Sequence, residues 1–233
     1  MDLSERAAAK MRLVGGRLFL DFINTVGGRK PDPGRNKSVA GAVVILGDKL
    51  NDYYDLLAWS RHTELLKETD LQTLIREAGL RENEAANVLE RAVVLREAGY
   101  RICTATIRRR NAQQSDLEVL NREIGIARCH EKLTAASDGF VWEWTGVARE
   151  LDCMLWPVSR SAAELLTTGD MTRLHACGGD DCGWLFEDNS RSRSRQWCTM
   201  EDCGNLAKVR RFRSRLRKGG KKQEVSHPKT GAT

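Results

Sequence analysis

The chain has 233 residues, 41% of them hydrophobic and 30% charged, and its formal net charge of +6 is unevenly placed: residues 177–233 carry 13 Lys+Arg against 7 Asp+Glu, whereas residues 1–176 hold 25 of each. No stretch of eighteen apolar residues occurs and the opening Met1-Asp-Leu-Ser-Glu-Arg is too polar for a secretory leader, so a helical membrane span is excluded and export is not expected. Seven cysteines, an odd number, then point to a reducing, cytoplasmic setting.

Residues 17–26 form a nearly unbroken apolar run and read as a mostly buried strand closed by Gly27-Gly28. Arg29 to Lys37 is a loop by composition, and a second short strand is expected at Val43–Leu46. From Asp52 the period turns helical through Tyr53, Leu56, Leu57, Leu65 and Leu66, and Asp70 is placed to cap a short helix through Ala78. Asn83–Arg110 is the strongest helical segment, with apolar positions at 88, 89, 92, 95, 98, 102 and 103. Ser115 or Asp116 can cap the next helix, which puts Leu117, Leu120, Ile124 and Ala127 on one face. Phe140–Trp144 alternates as a strand does. A helix is expected from about Val147 to Leu166, kinked near Leu155–Trp156 by Pro157. Cys103, Cys129 and Cys153 lie among apolar neighbours and are expected to be buried and unreactive.

The remaining four cysteines read Cys177-x4-Cys182 and, after a gap of fifteen residues, Cys198-x4-Cys203. Two pairs of equal spacing suit one structural Zn²⁺ held by four thiolates, a closed tetrahedral set with no position left for substrate. His175 is a weaker competitor for the same ion. Trp184–Phe186 and Gln196-Trp197 are expected to pair as a hairpin, with Asp188-Asn-Ser190 in its turn and Arg191, Arg193 and Arg195 at its tip. A helix then opens at Cys203-Gly-Asn205. Knuckle, hairpin and ligand-bearing helix follow the treble-clef order. On that helix Leu206, Val209, Phe212 and Leu216 share one face and should pack on Trp184 and Trp197. Lys208, Arg210, Arg211, Arg213, Arg215, Arg217 and Lys218 cover the rest, and no acidic residue interrupts 203–223. Intrahelical ion pairs cannot explain such a run, so DNA, RNA or another polyanion is the expected partner.

The expected fold class is mainly α with a small β-sheet (α+β) over residues 1–168, a treble-clef-like zinc finger over 169–218, and a disordered basic tail over 219–233. Stripping the metal should melt the finger and leave the helical domain standing. No Ser/His/Asp order, phosphate-cradling Gly loop or His-Glu metal motif is present, and there are only four histidines, so an enzyme is not expected. Asp21, Asn24, Arg29 and Arg96 are polar groups in apolar surroundings. They either line a small-molecule effector pocket or make structural hydrogen bonds, the second being the simpler account.

Cys182-Gly-Trp-Leu-Phe186, Ser190-Arg, Trp197-Cys-x-Met200 and Cys203-Gly-Asn205 resemble the CGNR zinc-finger proteins, as does Leu155-Trp-Pro-Val-Ser-Arg-Ser-Ala-Ala-Glu-Leu-Leu166. Gly16–Val26, Asp55–Trp59, Leu95–Ala98, Asp116-Leu, Leu120-Asn121 and Trp142–Trp144 resemble that family's partner domain, ABATE. The resemblance implies a bacterial, cytoplasmic, stress-induced transcription regulator that binds DNA. The motif that names the family ends in Arg, where this chain has Leu206; if that Arg touches nucleic acid in the relatives, this chain lacks the contact, while the basic residues from Lys208 onward remain. The alternatives from the residues themselves are an RNA-binding zinc protein and a zinc-stabilised protein-docking module.

Overall fold

The computed structural model describes residues 2–31 and 43–223, with side chains described through Leu216 in the last helix. A 3₁₀ turn at Ala7–Lys10 leads to α1 (Leu18–Ile23), β1 (Val26–Pro31), β2 (Val43–Asp48), α2 (Tyr53–His62), α3 (Glu68–Leu80), α4 (Glu82–Ile107) and α5 (Gln114–Cys129). Then come β3 (Glu131–Ala136), β4 (Gly139–Trp144), α6 (Leu155–Thr168), β5 (Leu174–Ala176), β6 (Leu185–Glu187) and α7 (Asn205–Gln223). The strands form three separate two-stranded antiparallel ladders, β1–β2, β3–β4 and β5–β6. The mainly helical, α+β expectation holds.

The helix α4 organises the core. Its inward row of Ala85, Val88, Ala92, Leu95, Ala98 and Ile102 is buried at spacings of three and four. Helices α1, α2, α3 and α5 all pack against it. A Cβ at Gly99 would stand 2.5 Å from Phe19 Cζ, so glycine there lets α1 lie close against α4. At α2, Asp52 caps the helix by accepting the Asp55 N–H at 2.8 Å. Arg6 then holds both carboxylates, each at 2.7 Å.

Several sequence expectations are corrected here. The run expected as a strand is helical at Leu18–Ile23, and the strand begins only at Val26. Phe19, Leu20, Asp21, Phe22 and Ile23 are all buried between α4, α6 and β6, so no solvent face was left to show a period. Arg29, assigned to a loop, belongs to β1, and the remainder of that loop lies outside the described residues. The helix expected from Val147 starts at Leu155. Pro157 therefore sits in its first turn, where a missing N–H breaks no helical bond, and it kinks nothing. Lys67 and Gln113, not Asp70 and Ser115 or Asp116, occupy the cap positions of α3 and α5. Asp116 instead pairs with Arg101 at 2.6 Å. The strand β3 was not expected; it pairs Leu133 with Trp142 and Glu131 with Trp144. Cys103 and Cys153 are buried as expected, but Cys129 is exposed at the end of α5.

The C-terminal module is joined to this core and does not hang from it. Leu174 of β5 and Leu185 of β6 belong to the main hydrophobic cluster. The Asn24 side chain donates to the Leu185 carbonyl at 2.8 Å and accepts the Leu185 N–H at 2.9 Å, acting as a one-residue strand along β6. Trp184 donates its indole N–H to the Val26 carbonyl at 2.9 Å. The Arg29 backbone N–H donates to the Cys182 carbonyl at 2.9 Å.

Candidate metal centre and nucleic-acid interface

The chain at 177–182 turns tightly. The Cys182 N–H donates to the Gly179 carbonyl at 3.2 Å, and the Cys177 and Gly178 N–H groups donate to Trp184 and Gln196 at 2.7 and 2.9 Å. Gly183 has φ +62, and a Cβ there would stand 2.8 Å from the Arg29 Cβ, so only glycine fits that exit from the knuckle. Past the arginine loop, Cys198 follows Trp197. Cys203 lies in a single π turn (Met200–Gly204) that opens directly into α7. Thr199 fixes that turn by accepting the Asp202 N–H at 3.2 Å.

These three segments bring Cys177, Cys182, Cys198 and Cys203 together, with all four Sγ atoms within 4.8 Å of one another. The Cys182–Cys198 and Cys198–Cys203 sulfur separations are 3.6 and 3.5 Å. Zn–S bonds of about 2.3 Å in a tetrahedron require sulfur–sulfur edges of about 3.8 Å. The donor set thus fits the ion, and His175 is not in it: its imidazole lies instead against Phe186. Hydrogen bonds from the Cys182 and Cys198 thiols, then from the Cys198 and Gly179 N–H groups, hold the Cys177 thiol far below its usual range. The other three are pushed up: Cys182 and Cys198 chiefly by their bonds to Cys177, and Cys203 by burial. Four thiolates this close cannot all carry charge without a dication between them, and one Zn²⁺ supplies it. Its role is structural, because four thiolates close the shell.

The expected hairpin is corrected. Strand β6 pairs with the upstream β5, Leu174 with Glu187 and Ala176 with Leu185, and not with Gln196-Trp197. Asp188 still makes the turn, accepting the Ser190 N–H at 2.9 Å and the Arg195 N–H at 2.8 Å. Arg195 is not a free tip residue. Its guanidinium stacks over Phe186 at 4.1 Å and donates to the carbonyls of Trp197, Val14 and Cys198. Arg191 is exposed, and Arg193 is exposed near Asp170 at 3.8 Å.

The expected apolar seam along α7 is also corrected. Leu206, Val209, Phe212 and Leu216 are all exposed, and the two tryptophans pack around the cysteines instead. Lys208, Arg210, Arg211, Arg213 and Arg215 are exposed as well. Arg210 pairs with Asp180 of the knuckle. Arg217 and Lys218 continue the helix backbone, and their side chains lie outside the described residues. Of the tail expected to be disordered, the stretch through Gln223 is helical and residues 224–233 lie outside the described residues.

Each of the four candidate pocket residues bonds to groups of the protein itself. Asp21 accepts the Gly15 N–H at 2.8 Å, and burial raises its pKa. Asn24 clamps β6. Arg29 and Arg96 meet through Glu97, at 3.0 and 2.8 Å, and Arg96 grips Asp48 through two 2.7 Å bonds. These polar groups are engaged by the protein itself. The clamp by Asn24 and the strut formed by Arg195 were not read from the sequence. The only signal for Asn24 was an amide placed inside an apolar run.

Comparison with known families matches residues 16–169 to ABATE, described as "Putative stress-induced transcription regulator", and residues 173–216 to the CGNR zinc finger. The chain belongs to the ABATE family. Its CGNR finger follows the ABATE region in chain order. No curated protein matches the chain. Among the described residues no helix is long and apolar enough to cross a membrane.

Proposed function

We propose that this ABATE–CGNR chain is a non-enzymatic, cytoplasmic, DNA-binding transcription regulator in which zinc fixes α7 as the contacting element. One observation carries the reading. Lys208, Arg210, Arg211, Arg213 and Arg215 all project into solvent from a helix without acidic residues, anchored at its first turn by a metal ligand. Cations held so close together are unfavourable for the free helix and favourable beside phosphates. Arginine and lysine reach both phosphates and guanine edges, and in so dense a row most of them meet the backbone. Arg191 and Arg193 extend the cationic surface; Arg195 is reserved for the interior. The ABATE domain would bias this contact by answering a ligand or partner.

Salt titration of duplex DNA and structured RNA binding to the zinc-loaded chain tests the reading. With roughly three to six phosphates neutralised, log affinity should fall with log salt at a slope of about −3 to −5. The triple substitution R211A/R213A/R215A should flatten that slope by about 2–3. A slope near zero for the native chain overturns the proposal. Tighter binding of RNA than of DNA would move it to the RNA reading. The exposed stripe of Leu206, Val209, Phe212 and Leu216 favours a second reading, a protein-docking module with an acidic partner, which predicts no nucleic-acid binding at low salt.

A further inference from the structure

A cleft of about 460 Å³ opens between the zinc knuckle and the first turns of α7. That volume lies in the range of small-ligand sites. Its floor is bare backbone at Gly178 and Gly179. A Cβ at Gly178 would stand 3.0 Å from the Trp197 ring, and one at Gly179 would stand 3.1 Å from Cys203 Sγ, so a side chain at either would crowd the zinc knuckle. One wall is the half-buried Trp197, and another is Leu206, 57% exposed. The mouth carries both signs of charge. Arg210 and Asp180 pair across it. Arg211 and Asp181 line the same mouth, exposed and without ion pairs among the described residues.

A ligand made only of phosphates would meet Arg211 but be repelled by Asp181. A purely apolar ligand would use Trp197 and Leu206 and leave both charges idle. A heteroaromatic ring that bears an amine and is tethered to a phosphate satisfies all four. We propose that the cleft receives one unstacked nucleobase from a bound strand, its ring between Trp197 and Leu206, its phosphate at Arg211 and its exocyclic amine donating to Asp181. This rests on the nucleic-acid reading above and deepens it. Taking a base out of a stack costs least in single-stranded or distorted segments, so those are the preferred targets. Leu206 becomes a specificity residue: where the family motif has arginine, leucine keeps the cleft apolar and open.

The test uses the zinc-loaded full chain, with zinc content and circular dichroism checked for each variant. Anisotropy is measured at physiological salt on labelled oligo-dC, oligo-dT and an abasic strand of equal length. The dC strand should bind about tenfold tighter than the abasic strand, because stacking is lost in the latter. It should bind about fivefold tighter than dT, which lacks the amine. D181A, at an exposed position, removes the acceptor and should erase the dC–dT difference. L206A removes one wall of the cleft and should shrink the difference between dC and the abasic strand. Equal binding of the three strands by the native chain, or differences untouched by both variants, overturns the proposal. If all strands bind with a steep salt dependence but no base preference, only the cleft assignment falls. If no strand binds at low salt while duplex DNA or structured RNA does, the cleft assignment falls alone; if none of them binds, the nucleic-acid reading falls with it.

Discussion

Arginine does opposite work in the ABATE core and on α7. In the ABATE domain the side chains of Arg29 and Arg96 have no exposed surface. Arg96 meets Asp48 and Glu97, while Arg29 meets Glu97 and the Ile23 carbonyl and lies 4.1 Å over the Tyr100 ring. A buried cation is tolerable only with such partners, since isolated charge in a low-dielectric interior is very costly. On α7 the arginines stand in water, and Arg210 alone among those described pairs, with Asp180. The first set holds the fold together. The second set gives the fold little.

Removing zinc should have the largest effect, because its binding contributes roughly 10–16 kcal/mol of apparent free energy at neutral pH. The sequence suggested that only the finger would melt. With Leu174 and Leu185 in the main core and Asn24 clamped to β6, chelation should also lower the melting temperature of the helical domain. Calorimetry with and without chelator checks this, and an unmoved helical transition would show that the two regions are independent. Next in size, D48A strips Arg96 of its bidentate partner and should cost about 3 kcal/mol. R213A should change stability by no more than about 0.5 kcal/mol. Urea titrations giving the same loss for both would erase the contrast drawn above. The smallest effect is chemical. In the zinc-loaded protein a thiol reagent should label Cys129 alone. Cys103 and Cys153 are buried, with thiols pushed up to about 12 by desolvation, and the four ligands are occupied by metal. Fast labelling of more than one site would contradict that arrangement.

The zinc ligands were the most legible part of the sequence, because one ion imposes spacing and residue type together. The long helix α4 was nearly as clear, its buried row keeping strict helical intervals against a polar outer face. Legibility failed where burial was complete or partners were distant. Residues 19–23 are covered on every side, so no period separated helix from strand. The partner of β6 lies upstream of the first cysteine, and a hairpin drawn between neighbours in sequence missed it. Arg195 resembled its neighbours Arg191 and Arg193; only the fold sets it over Phe186. The apolar positions on α7 obeyed core spacing, yet no core faces them.

Cys203 sits two residues ahead of α7, so the ion determines where the helical count begins. Each residue advances an α-helix by about 100°. A single residue inserted between Cys203 and Leu206 would keep the metal and the length while swinging the whole cationic row about a quarter-turn away from its present bearing. The metal therefore acts as a protractor as well as an anchor.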